Sequence, residues 1–223
     1  MATTLERELT ALKELLVAMA GEVEHQLSLA IRSVVERDSS LAEQAIAGDG
    51  LIDRREIEVD RHVIELIVRE RPLARDLRFV MLAQRISPDL ERVADHAVNI
   101  AKQALVLNRL PPLKPFVIFP RMAETASALV REAVDAFVRG DAGAARAVIA
   151  QDAEVDAARD EVTRELLTYM MGDPSTIPRA LALLLIAGSL ERIGDQATNI
   201  AEQVVFLAEG EDIRHRHGTS PQA

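Results

Sequence analysis

The stretch LERVADHAVNIAKQ at residues 90–103 returns as LERIGDQATNIAEQ at residues 190–203. Nine of the fourteen positions are identical, among them Glu91/Glu191, Arg92/Arg192, Asp95/Asp195 and Asn99/Asn199. Agreement of this density at a fixed offset marks an internal repeat, one structural unit used twice. In each copy Glu, Asp and Asn stand four residues apart, so on an α-helix their side chains form one column of oxygen atoms. Leu90, Val93, Ala94, Ala97, Ile100 and Ala101 recur at three- and four-residue spacing, which is the core-facing stripe of the same helix. The oxygen column lies more than roughly 100° around the wheel from that stripe and faces outward.

Helical periodicity extends on both sides. Leu5 to about Arg37 carries apolar residues every three or four positions with no proline, which predicts one long amphipathic helix. Asp38-Ser39-Ser40 interrupts it, and Ser40 with Glu43 has the spacing of a capping box for a second helix running towards Glu70. Pro72 suits the opening of a third helix, which passes through Pro88, a potential kink, to about Asn108. Residues 110–120, LPPLKPFVIFP, hold four prolines in eleven positions and read as a linker. A fourth helix over 121–139 stops at Gly140, a fifth runs from Ala142 to Met171, and Asp173-Pro174 starts a sixth that reaches about Ala208. The expected fold is all-α, two pseudo-symmetric three-helix bundles. The first covers residues 1–110, a linker 111–120, the second bundle 121–209, and 210–223 form a polar, flexible tail.

Composition narrows the chemistry. A formal net charge of −10 disfavours a nucleic-acid phosphate backbone as partner and favours cations or basic protein surfaces. The absence of Cys removes disulfides, thiolate zinc sites and iron–sulfur clusters. Only 3% of the residues are aromatic, so the core must be built of Ala, Leu, Val and Ile. The first residues have no secretory pattern, and no apolar run reaches the ~20 residues of a membrane span. The expected location is cytoplasmic.

Acidic residues at helical spacing are usually a solvated face. Here they recur. The second helix carries Asp49, Asp53, Glu56 and Asp60, and the fifth carries Asp152, Asp156 and Asp160. Each half therefore has two acidic columns on different helices, able to converge across one groove. Like charges four apart cost a helix a few tenths of a kcal/mol per pair, a repulsion that a bound cation removes. Carboxylate ligands suit hard cations such as magnesium, calcium, manganese or iron. Glu22 with His25 is a single E-x-x-H, whereas ferritin-like di-iron enzymes need that motif twice. His62 and His96 read as surface or edge histidines. A metal-dependent bundle enzyme and a phosphotransfer module on His25, His62 or His96 are the competing readings.

The paired LERVADHAVNIA and LERIGDQATNIA, with PLARDLR at 72–78, resemble the PhoU family of accessory regulators of bacterial phosphate transport, over nearly the whole chain. That resemblance implies two three-helix bundles and no enzymatic activity. It implies a homodimer acting between the ATPase of the phosphate ABC transporter (PstB-type) and a PhoR-type sensor histidine kinase, with membranes reached only through those partners. Phosphate uptake would be restrained and the starvation response kept off. It also implies surface metal sites at Asp49, Asp53, Glu91 and Asp95 in the first half and Asp152, Asp156, Glu191 and Asp195 in the second. Two positions depart from the family pattern. Ala94 stands where Gly is usual, and Gln196 stands where His is frequent, which would leave the second site without a nitrogen ligand.

Overall fold

A computed structural model describes residues 3–113 and 118–210. The centre of the expected linker and nearly all of the expected tail lie outside the described residues. Six helices follow in order: α1 Thr4–Val35, α2 Ser39–Glu70, α3 Ala74–Asn108, α4 Ile118–Arg139, α5 Ala142–Gly172 and α6 Ile177–Glu209. Helices α1 to α3 pack on one another, as do α4 to α6, and the two bundles meet where α3 lies along α6 and α1 touches α4. This is the pseudo-symmetric pair of three-helix bundles that the repeat predicts.

The bundle interiors are aliphatic. Leu12, Leu16, Val23, Ile86, Leu90 and Ile100 in one half and Leu129, Val148, Ile186, Leu190 and Ile200 in the other are wholly buried, and the buried apolar residues form one cluster across both bundles. At the join, Phe79 of α3 stacks on Phe137 of α4 with ring centroids 5.1 Å apart. Phe137 is among the largest fully buried side chains, and truncating such a ring to Ala typically costs about 3–5 kcal/mol.

Several helix ends differ in detail from the local sequence signals. The capping box forms at the start of α1, where the Thr3 hydroxyl accepts from the Glu6 amide at 3.2 Å and Glu6 accepts from the Thr3 amide at 2.7 Å. Ser40 and Glu43 form no such box. Asp38 is the cap of α2, its carboxylate accepting from the Ser40 amide at 2.8 Å, and Ser39 and Ser40 are already helical. An ionised Asp is the stronger acceptor and sits closer to the chain break, so it takes the first free amide. Pro72 precedes α3 by two residues instead of opening it, because Arg71 ends α2 in the left-handed region at φ +49°. Helix α4 begins at Ile118, and Pro120 falls in its first turn, where a missing N–H costs nothing. Pro88 lies within α3 without ending it. Gly140 closes α4 at φ +65°, a conformation that strains any residue with a Cβ. Arg37 ties the linker down, donating to the Leu107 carbonyl at 2.8 Å and also to that of Leu110.

Candidate functional site

The acidic columns lie along the α2–α3 groove in the first bundle and the α5–α6 groove in the second. On α3 the apolar stripe turns Leu90, Val93, Ala94 and Ala97 inward, which leaves Glu91 half-buried at the groove edge and Asp95 exposed one turn on. On α2, Ile52 and Val59 point into the core and leave Asp49, Asp53, Glu56 and Asp60 along the same groove. Partial burial raises the Asp49 pKa, and the charges of Asp53 and Asp95 raise it further, against a hydrogen bond from Gln26 of α1 and the charge of Lys102. Glu91 is raised first by burial, then by Asp95, Glu56, Asp53 and Asp49. Carboxylates from two helices therefore act on one another across the first groove.

The second groove repeats the arrangement. Asp152 is raised by burial, then by Asp156 and Glu191, with the Thr198 hydroxyl opposing. Asp195 is raised by burial and by Asp152 and Asp156. Glu191 is raised by burial and by Asp195 and Asp156, and is drawn down by Arg159 and Arg192. A Cβ added to Gly194 would stand 2.5 Å from Asp152 Oδ1, so the Asp152 carboxylate lies directly over this glycine where α5 and α6 meet. The first half has Ala94 in that place, and beside its Asp49 the buried Gln26 of α1 donates to the Ala45 carbonyl at 2.9 Å.

All eight sequence-predicted residues thus fall in two grooves, four in each. Glu56 and Asp60 belong to the first groove too, since Glu56 is raised by burial and then by Asp60 and Asp53. Their place was visible in the α2 spacing, but the family pattern did not select them. The two grooves differ at this point. The offset that pairs Asp49 with Asp152 and Asp53 with Asp156 pairs Glu56 with Arg159. One groove carries an extra negative charge where the other carries a positive one. His96 lines a cleft between α3 and α6 together with Arg192, and its pKa is lowered by burial and by that guanidinium.

The donor set of each groove, hard carboxylate oxygens under mutual repulsion, fits a hard cation. Among the described residues no three Asp, Glu or His side chains already converge as a ligand set. The grooves are concentrations of charge in which side-chain rotation would have to complete any coordination shell. The other candidates are otherwise engaged. Glu22 receives Arg55 at 3.0 Å, which occupies the acid of the lone E-x-x-H. His62 bridges to α1, its Nε2 lying 3.2 Å from the Glu8 carbonyl and 3.4 Å from the Glu8 carboxylate. Among the described residues the buried carboxylates are Asp89 and Glu202, a pairing unlike the carboxylate-lined interior of a di-iron bundle. No described helix is long and apolar enough to cross a membrane.

Comparison with known proteins agrees with this architecture. A family model described as the PhoU domain matches residues 16–104 and 119–204, one match per bundle. The phosphate-specific transport system accessory protein PhoU homolog of Zymomonas mobilis is 40% identical over 211 residues, 95% of this chain and 89% of the relative. The crystal structure of PhoU from Pseudomonas aeruginosa superposes with a TM-score of 0.88 at 37% identity, covering 92% of this chain and 99% of that one. The phosphate transport system regulatory protein PhoU from Streptococcus pneumoniae gives 0.87 at 26% identity, covering 94% and 99%. With one domain match on each bundle and relatives of like sequence and fold over nearly its whole length, the chain belongs to the PhoU family.

Proposed function

We propose that this protein is a regulatory adaptor of phosphate uptake, docking on the PstB-type ATPase of a phosphate ABC transporter and on a PhoR-type sensor kinase. In high phosphate it restrains transport and keeps the starvation response off. It acts as a homodimer in the cytoplasm, at the inner face of the membrane through its partners, and catalyses no reaction of its own. The observation that carries this reading is the acidic groove that both bundles keep on their outer surface. Two such grooves on a rigid helical body suit cation-modulated docking of basic protein surfaces.

Hard cations belong to the same proposal. Asp49, Asp53, Glu91 and Asp95, with Glu56 beside them, would hold one set, and Asp152, Asp156, Glu191 and Asp195 the other. A bound cation would neutralise the groove and cross-link its two helices. The first groove, with Glu56 where the second has Arg159, takes the cation more tightly. The deciding experiment deletes the gene in its host and follows a phosphate-starvation reporter in high phosphate. Derepression, reversed by the intact gene and not by a copy with Glu91, Asp95, Glu191 and Asp195 changed to Ala, is expected. A reporter that stays silent after deletion refutes the adaptor role.

A further inference from the structure

Duplication provides an internal control at the seam between the bundles. In the first repeat Asp89 is buried, 5% exposed. Its carboxylate accepts from Arg92 Nη1 at 3.0 Å and, from the other repeat, from Gln203 Nε2 at 3.5 Å. The hundred-residue offset gives Arg192 for Arg92 and Gln103 for Gln203, but Ser189 for Asp89 and Gly188 for Pro88. Helices α3 and α6 run antiparallel, so these four residues meet at the opposite end of the seam. There, with His96 and Asn99, they line a cleft of about 330 Å³.

The cleft keeps the cation and lacks the anion. Ser189 spends its hydroxyl within its own helix, donating to the Leu185 carbonyl at 3.0 Å. A Cβ on Gly188 would meet nothing within 4 Å, so open space begins at that helix surface. Arg192 makes no ion pair within 4.0 Å among the described residues, whereas Arg92 has Asp89. Asp95 beside His96, and Glu191 and Asp195 beside Arg192, temper the positive potential without closing on the guanidinium.

We propose that this cleft binds a small oxyanion at Arg192 and Gln103, in the place that the Asp89 carboxylate fills in the other repeat. A guanidinium fork gives an oxyanion two parallel charge-assisted hydrogen bonds. The amides of Gln103 and Asn99 and one His96 nitrogen supply further donors. The first repeat brings its own anion, and the second takes one from solution. The cleft borders the second groove, since Arg192 also acts on Glu191 and Asp195, so anion binding is measured without metal to keep it distinct from the cation reading.

The test uses the full chain stripped of metal on a chelating resin, so that no anion is held through a groove cation. Inorganic phosphate, sulfate and acetate are titrated in turn at fixed ionic strength, reading heat and the His96 ring proton signals. Saturable binding with a shift of the His96 signals is expected for at least one anion. Preference for phosphate and sulfate assigns a tetrahedral ligand, and preference for acetate a carboxylate. Arg192→Gln should weaken binding at least tenfold. Ser189→Asp, which restores the carboxylate of the first repeat, should abolish binding while holding or raising the melting temperature. Absence of saturable binding with all three anions overturns the proposal. So does binding that survives Ser189→Asp unchanged, a variant that remains informative should Arg192→Gln fail to fold.

Discussion

Replacing Asp89 with Asn should make the stability of this protein less sensitive to pH, in a direction opposite to ordinary salt-bridge loss. Burial lifts the Asp89 pKa from 3.8 to about 6, against the opposing pull of Arg92 and Gln203. The unfolded chain releases this proton near the ordinary value, while the folded chain holds it some two units longer. The contribution of this group to stability is therefore greatest below about pH 4, falls as pH rises towards 6, and is level above that. At roughly 1.4 kcal/mol per unit, the loss approaches about 3 kcal/mol. Asn has nearly the same shape, still accepts from Arg92, and does not ionise. Arg92 is itself largely exposed, with 57% of its side chain accessible, so weakening its pair strands no buried charge. Urea denaturation of both proteins from pH 4 to pH 8 isolates the effect, because other titrating groups are common to the two. The stability of the Asp89→Asn variant relative to the native protein should climb by ~2–3 kcal/mol between pH 4 and pH 7, roughly 4–12 °C in melting temperature for a chain of this length. A difference that stays flat, or falls, would mean that Arg92 and Gln203 outweigh burial and that the ionised carboxylate is the favoured form.

Three further outcomes follow from the grooves and the helix ends. Glu91→Ala with Asp95→Ala should lower bound metal per chain by elemental analysis and leave the helical circular dichroism intact, and should remove more metal than the matching pair Glu191→Ala and Asp195→Ala. Gly194→Ala should displace the Asp152 carboxylate, whose Oδ1 would stand 2.5 Å from the new Cβ, weakening cation binding in the second groove alone while changing stability by less than about 1 kcal/mol, since Ala is the better helix former. Asp38→Ala should lower the melting temperature through loss of the α2 cap, whereas Glu43→Ala should leave it unchanged, since Asp38 and not the Ser40/Glu43 pair holds the free amide.

The fold was legible because its signals are local and stated twice. The apolar stripe from Leu90 to Ala101 and its copy from Leu190 to Ala201 each specify a buried helix face, and Gly140 and Gly210 end helices where a left-handed residue is needed. The oxygen columns were legible as spacing. That Asp49 and Asp53 face Glu91 and Asp95 across a groove depends on how α2 lies against α3, which no spacing within one helix states. Asp89 was missed for the same reason. It stands next to Leu90 among charged neighbours and reads as solvent-facing, but α6, a hundred residues away, covers it and supplies Gln203. His96 was assigned to the first groove by the family pattern, and only the α3–α6 contact shows that it lines the seam beside Arg192. The capping signal at Ser40 failed because two competing acceptors lay within three residues of each other, and spacing alone does not rank them.

The seam also sets an order of events at the ribosome. When the first 113 residues have emerged, α1, α2 and α3 can close on one another, but the face of α3 that α6 covers stays wet. Around a hundred further residues must be synthesised before α6 exists to cover it, which at ~5–20 residues per second is an interval of roughly 5–20 s. For that time the nascent half-protein displays a surface whose natural complement is its own repeat. A second nascent chain on the same message displays the equivalent surface, so the duplication that completes the fold also creates its nearest competitor.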